Sequence, residues 1–436
     1  MCSTCVSETV PRSNETGGSA LRDNILAGID VGSSKICTLV AEVTPDDDLR
    51  VLGVGITPSQ GVKKGMVDDI QKATEAITSS VERAERSSAS RIMSAHVSIG
   101  GNHTTSVNNR GISTIPGKQR AITEEDIDRA MEGAKSLSLP TNREVLHNIS
   151  RFFIVDGQEH VSDPVGMFGQ RLDMDTHIVT GSVTAIQNLT QCVEGAGVQI
   201  EELVFAPLAA AEAVLEDEEK EQGVILADIG GGTTNIAVFV DGTVFHTCVL
   251  PVGGYHLTHD LVAGLRAPFS QVEELKVTDG SALPSQIDAE ETVELEAFGG
   301  QRMKEVPRRR VAEILQARVE EILEMIYIDV KRAGFDDMVA AGLVLSGGTA
   351  GLPGICELSE MVLRLPVRAG VPRGIHGLSD SLNHPAYATS VGLLHWAKAE
   401  IGQNGHKPKR QLHLPAIELH GAMEGARKWL KTLIPK

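Results

Sequence analysis

The sequence predicts an α/β protein of two lobes, each built on the same core, with insertions and a C-terminal amphipathic helix. Three observations predict this. A buried strand ending in Asp and a Gly turn occurs twice, as Gly28-Ile29-Asp30-Val31-Gly32-Ser33-Ser34-Lys35 and as Ala227-Asp228-Ile229-Gly230-Gly231-Gly232-Thr233-Thr234-Asn235. Each copy opens a run of three strands. A third Gly-rich turn, Ser346-Gly347-Gly348-Thr349, follows a late buried strand.

The 436 residues suffice for two or three domains. With aromatics at 3%, the core must be aliphatic. A net charge of −18 argues against a nucleic-acid binder and against adhesion of the whole body to an anionic membrane. Residues 1–24 read as a disordered tail with no secretory signal, and no run of apolar residues is long enough to span a bilayer. Cys2 and Cys5 form a CxxC without a second pair or nearby His, so reduced thiols are the plainer reading.

Order begins at Ile25, and the first-lobe core runs over 25–104, with a helix over 68–90 whose Ile70, Ala73, Ala76, Ile77, Val81 and Ala84 form an apolar face. From 105 to 186 the texture changes to a Gly/Pro-punctuated stretch, an inserted subdomain. It contains a helix begun by Thr123 and the acids Glu124, Glu125 and Asp126. The first-lobe core resumes over 187–223. The second lobe follows as core (224–256), insertion (257–330) and core again (331–400). Residues 401–421 read as a flexible linker and 422–436 as an amphipathic helix.

The duplicated turns point to phosphate handling. Gly and Ser/Thr let backbone N–H groups converge on an anion without Cβ interference. Asp30 and Asp228 face one another in this scheme and can hold Mg²⁺ through water. Lys35 can neutralise phosphate charge. A single Asp-x-Gly turn is usually a hairpin, but two in matching contexts are a stronger signal. Glycines at 347 and 348 let backbone lie flat against a base or ribose, although a plain strand-to-helix turn would look similar. Glu273 and Lys276, three apart on one helix face, can hold ribose and adenine or form a solvated pair.

On a helical wheel, Met423, Ala426, Trp429, Leu430, Leu433 and Ile434 fall within an arc of about 140°, and Arg427, Lys428 and Lys431 lie outside it. From 401 onward there are seven Lys/Arg against two Asp/Glu, a net +5, which leaves −23 for the rest of the −18 chain. A basic amphipathic tail on an acidic body suits an anchor on anionic lipid; a helix docked on the body or in a partner's groove is the competing reading. Arg308, Arg309 and Arg310 open a helix, where cations oppose the dipole, so an external anion is expected there.

With these motifs in hand, the chain resembles the actin/Hsp70/sugar-kinase superfamily. Within that superfamily, residues 25–399 resemble the bacterial cell-division FtsA family. The resembling text includes Val145-Leu146-His147, Asp163-Pro164-Val165-Gly166, Leu203-Val204-Phe205-Ala206, Asp228-Ile229-Gly230-Gly231-Gly232-Thr233 and Ser390-Val391-Gly392-Leu393-Leu394-His395. The resemblance implies an actin-like fold of duplicated ribonuclease-H-like cores with ATP between the lobes. It would place ATP on Asp30, Gly32, Ser33, Ser34, Lys35, Gly230, Gly231, Gly232 and Thr233, with Gly254, Glu273, Lys276, Gly347 and Gly348 completing the site. It also implies filament formation, recruitment of later division proteins and attachment at the cytoplasmic face of the inner membrane. Binding of the C-terminal peptide of the tubulin-like FtsZ would fall to Arg308, Arg310 and Glu313.

One departure stands out. Hydrolytic members of the superfamily often carry Glu before the Pro of a helix start; here that position is Ala206, and Glu212 lies more than a turn deeper. Slow turnover at most is the expectation. A pilus-assembly homologue, a sugar kinase and an Hsp70-type module are the alternatives. The kinase lacks a candidate carboxylate and the chaperone lacks a following substrate domain.

Overall fold

A computed structural model describes residues 24–403, apart from 118–119, 137–138, 297 and 299–302. The N-terminal tail with Cys2 and Cys5, most of the linker and the whole amphipathic helix lie outside the described residues.

The first lobe opens with an antiparallel meander of β1 (Ile25–Val31), β2 (Lys35–Val43) and β3 (Leu49–Pro58). A short hairpin, β4 (Val62–Lys63) and β5 (Met66–Val67), leads to α1 (Ile70–Ser88). Asp69 caps α1 by accepting the Lys72 N–H at 3.1 Å, and Ala89 ends it in the left-handed region at φ 53°. The buried face of α1 is mostly small because it crosses β3 at glycine. A Cβ on Gly55 would stand 1.9 Å from the Ser80 carbonyl oxygen. Ile77 and Val81 fill the remaining space, each contributing roughly 1.5–3 kcal/mol of burial. Strand β6 (Ser94–Ile99) then lies parallel to β1.

Next comes a separate four-stranded antiparallel sheet: β7 (Thr105–Thr114), β8 (Arg143–Val155), β9 (Gln158–Val161) and β10 (Arg171–Ser182), in the order β7-β10-β8-β9. The helix α2 (Glu124–Lys135) packs on it through Ala130 and Ala134. The Thr123 N–H donates to Asp126 at 2.9 Å, so the helix starts where its acids predict. β7 is a strand that its polar sequence TSVNNRGIST does not announce. The first lobe closes with α3 (Val183–Gly195), β11 (Gln199–Phe205) and α4 (Ala206–Val214).

After α5 (Asp217–Gln222), the second lobe repeats the meander as β12 (Val224–Ile229), β13 (Thr234–Val240) and β14 (Thr243–Leu250). It continues with α6 (Gly254–Leu265), α7 (Phe269–Thr278), a hairpin of β15 (Thr292–Glu296) and β16 (Met303–Pro307), and the long α8 (Arg308–Ala333). Val311, Leu315, Val319, Ile322, Ile326 and Val330 give α8 its buried stripe, and Gly334 at φ 83° terminates it. β17 (Gly342–Ser346) lies parallel to β12, followed by α9 (Ile355–Leu363) and β18 (Val367–Ala369).

One correction concerns the end of the body. The expectation that 331–400 belongs wholly to the second lobe fails at β19 (Ile375–Gly377), which pairs with β3 in the first sheet. In α10 (Ala388–Gln403), Val391 and Leu394 share a core with Leu26 and Leu39 of the first sheet and Leu226 and Val344 of the second. Ala-rich α4 lies in the same core. It meets α10 so closely that a Cβ on Gly392 would fall 1.7 Å from the Ala209 carbonyl oxygen. The two lobes therefore share an apolar core through α4 and α10.

Candidate functional site

The turns β1–β2 and β12–β13, together with the turn after β17, converge on one cavity. Its interior holds about 100 Å³ of space accessible to water. Asp30, Gly32, Ser33, Ser34, Lys35, Asp228, Gly230, Gly231, Gly232, Thr233, Gly347 and Gly348 all line it. Both Asp residues stand at the ends of fully paired strands, so their placement follows from the register of the two meanders.

The two carboxylates differ in setting. Asp30 accepts the Ser98 hydroxyl at 2.7 Å and the Ser390 hydroxyl at 3.2 Å. Burial raises its pKa, and the Ser98 bond and the Lys35 charge oppose the rise. Asp228 accepts the Asn235 amide at 3.3 Å and the Thr389 hydroxyl at 3.5 Å, which is looser support. Burial, and then the charge of Asp30, push Asp228 up to about 6. Burial lowers the pKa of Lys35, although both carboxylates pull the other way. The Lys35 ammonium stands 4.2 Å from the centre of the Tyr387 ring.

The glycines of the second turn leave room for the first turn. A Cβ on Gly232 would lie 3.0 Å from Ser33 Oγ, and one on Gly231 would lie 3.1 Å from Ser34 Cβ. Gly347 sits at φ 83°, and a Cβ there would fall 2.4 Å from Asp228 Oδ1. Asn235 Oδ1 is buried and accepts no hydrogen bond. It borders the cavity beside Gly100, so the site holds an unmatched acceptor next to two carboxylates.

Three predicted residues stand behind the cavity rather than on its wall. Gly254 donates its N–H to the Gly230 carbonyl at 2.8 Å. Lys276 bonds the Gly254 carbonyl at 3.1 Å and the Glu273 carboxylate at 2.7 Å. Together they brace the second turn, with Lys276 mostly buried and Glu273 about one-third exposed. Ser98, Asn235, Thr389 and Ser390 complete the site. Asn235 ends the quoted turn motif, but hydroxyls such as Ser98 and Thr389 carry no distinctive sequence signal.

Among the described residues, Asp30 and Asp228 are the carboxylates that line the cavity, and none stands at the position of the missing Glu. Ala206 itself lines the cavity, and Glu212 is paired with Lys220 at 3.1 Å. The Phe205 N–H, next to Ala206, donates to His147 Nε2 at 2.9 Å.

The basic run at 308–310 corrects one expectation. Arg308 is taken up inside the molecule, donating to the Asp279 carbonyl at 2.7 Å and the Glu291 carboxylate at 2.7 Å. It therefore does not wait for an external anion. Arg310 pairs with Glu313 at 3.0 Å, with both side chains about half exposed.

Two lobes with duplicated cores around a cleft of paired Asp and Gly turns define an actin-like protein. Solved structures agree on the fold. A chain of a PilM–PilN type IV pilus biogenesis complex aligns at a TM-score of 0.62 and 14% identity, over 86% of this chain and 98% of that one. MreB5 of Spiroplasma citri bound to ADP aligns at 0.52 and 14% identity, over 88% and 99%.

Sequence comparison is more specific. The family model described as cell division protein FtsA matches residues 225–392, and that of the SHS2 domain inserted in FtsA matches 101–180. The FtsA of Neisseria meningitidis is 38% identical over 93% of this chain and 97% of its own length. Those of Pseudomonas aeruginosa and Escherichia coli are 39% and 34% identical over 85% and 86% of this chain, and 88% and 90% of their own. The chain belongs to the FtsA family of bacterial cell-division proteins.

Proposed function

We propose that this chain binds ATP with Mg²⁺ between its lobes, polymerises, and tethers the FtsZ ring to the cytoplasmic face of the inner membrane, where later division proteins join it. The observation that carries the nucleotide reading is the cavity where both Asp–Gly turns meet beside the unpartnered Asn235 Oδ1.

The residues present fit such a ligand. Bound there, ATP with Mg²⁺ would supply a charged bridge gripped by both lobes. Asp30 and Asp228 would hold the hydrated cation, and Lys35 would leave the Tyr387 ring for phosphate. The backbone N–H groups of 32–34 and 230–233 would line the anion, and the Gly347–Gly348 backbone would border the nucleoside. With Ala206 where a water-orienting carboxylate would stand, turnover is slow and the nucleotide serves assembly.

Membrane attachment falls to Met423, Trp429, Leu430, Leu433 and Ile434, flanked by Arg427, Lys428 and Lys431. Each cation near an anionic surface adds about 1 kcal/mol, so one copy binds reversibly and a polymer binds firmly. The FtsZ peptide would meet Arg310 and Glu313, with Arg308 shaping the helix start from inside. Family membership supersedes the pilus, kinase and chaperone alternatives.

The test is co-sedimentation with anionic vesicles, with and without ATP and Mg²⁺, comparing the intact chain with Trp429→Glu. The intact chain pellets, more completely with nucleotide, and the variant stays in solution. Equal behaviour of the two would sink the anchor.

A further inference from the structure

The inserted sheet does not hang free from the first lobe. Its edge strand β7 lies alongside β14, the edge strand of the second-lobe sheet. Two edge strands would ordinarily be joined by a backbone ladder. Here side chains take its place. Ser106 Oγ donates to the Thr247 carbonyl at 2.8 Å, and two residues on, Asn108 Nδ2 donates to the Phe245 carbonyl at 3.1 Å. The spacing of two on both strands keeps the donors on one side and matches them to alternate carbonyls, running antiparallel.

A third residue closes a circuit. His177 on β10 is the cross-strand partner of Asn108, and its ring bonds Asn108 Oδ1 at 2.7 Å and Thr247 Oγ1 at 3.0 Å. Burial, with the His246 and Arg151 charges nearby, holds its pKa near 3, so the ring is neutral and carries one proton. Asn108 Oδ1 can only accept, so that proton is on Nδ1 and Nε2 accepts from the Thr247 hydroxyl. The chain of donors thus leaves β14 at Thr247, passes through His177 and Asn108, and returns to β14 at Phe245. Along the same strand, Thr243 Oγ1 donates to the Ser150 carbonyl at 3.2 Å, and the Arg151 guanidinium lies 3.7 Å from the centre of the Phe245 ring. From the same face, two residues along β10 from His177, the inserted sheet reaches the first lobe's cleft wall through the His147–Phe205 bond.

We propose that the inserted subdomain is a clamp on the angle between the two lobes, and that the side-chain latch of Ser106, Asn108 and His177 on β14 is the part that releases. A backbone ladder would make the two sheets one rigid body. Side-chain bonds to carbonyls hold the same edges together yet can exchange with water one at a time. Thr247 is three residues from Leu250, whose cross-strand partner Thr234 begins the strand after the second Asp–Gly turn. Moving β14 away from β7 therefore moves that turn relative to the first lobe. Whatever pulls on the inserted subdomain opens or closes the cleft, and the reverse holds by linkage.

The experiment places spin labels, through an unnatural amino acid, at the exposed positions Arg91 in the first lobe and Met361 in the second of the full chain. Distances are read without nucleotide. Ser106→Ala with Asn108→Ala, both outside the cavity, keeps the melting temperature within a few degrees. It shifts the closed-to-open ratio by about tenfold, seen as a longer and broader distance distribution. Faster amide exchange in β14 accompanies the shift. An unchanged distribution overturns the clamp, whether or not β14 exchange rises. Since this readout needs no ligand, failure of the clamp is separable from failure of the ATP reading. Where ATP does bind, its dissociation quickens in the same variant.

Discussion

The two Asp–Gly turns share one topology and do opposite work. The first, between β1 and β2, brings side chains: Ser33, Ser34 and Lys35, the only cation lining the cavity among the described residues. The second, between β12 and β13, brings space: Gly230, Gly231 and Gly232 in a row, fitted against those same side chains. The supporting shells differ too. Asp30 is held by two serine hydroxyls at 2.7 and 3.2 Å, whereas Asp228 has an amide and a threonine at 3.3 and 3.5 Å. A duplicated core is thus divided into a charged half and a permissive half.

The sharpest way to break the comparison is at the carboxylates. Asp228, raised to about 6 from 3.8, is ionised at a cost in the folded state above pH 6. That cost shrinks as pH falls through 6 and is gone below about 4, where the carboxyl is protonated folded and unfolded alike. Asp228→Asn should therefore stabilise the nucleotide-free chain by up to about 3 kcal/mol at neutral pH, with the gain fading on acidification. Asp30→Asn should gain less, since Ser98 and Ser390 already support the anion. Thermal melts between pH 4 and 8 decide this, and equal gains would erase the distinction.

Next in size is Gly232→Val. Its side chain enters the space of Ser33 Oγ and the Lys64 backbone, at a cost of about 2 kcal/mol that separating the lobes relieves. The fold survives, but titration calorimetry with ATP and Mg²⁺ should show affinity weakened by about thirtyfold. Wild-type affinity in this variant would mean that the turns need not approach one another.

The smallest effect is on the charged half. Ser33→Ala removes the acceptor of the Gly65 N–H at 3.1 Å, a loss of about 1 kcal/mol in stability measured by denaturant melts. An effect larger than that of Gly232→Val would reverse the roles assigned to the two turns. At the second-lobe insertion, Arg310→Glu should abolish capture of an FtsZ C-terminal peptide in fluorescence anisotropy and leave ATP binding intact, because Arg310 pairs with exposed Glu313 and lies outside the cavity lining.

Sequence by itself determined the duplicated cores, because Asp-Gly punctuation and apolar runs are local properties that the chain writes in order. It also marked the cavity wall, since every residue from 32 to 35 and from 230 to 233 lines it. Tertiary structure decided the rest. Ser98, Thr389 and Ser390 join the site from strands and helices far along the chain, and a hydroxyl announces nothing about its partner. Arg308 reads as an exposed cation by composition, yet it folds inward because the Asp279 carbonyl and Glu291 stand within reach. Residues 375–377 return to the first sheet because a strand's partner is chosen by register and burial, not by its position in the chain. The latch between β7 and β14 has the same origin: polar residues that weaken a strand signal in sequence are the ones that hold two sheet edges together in space.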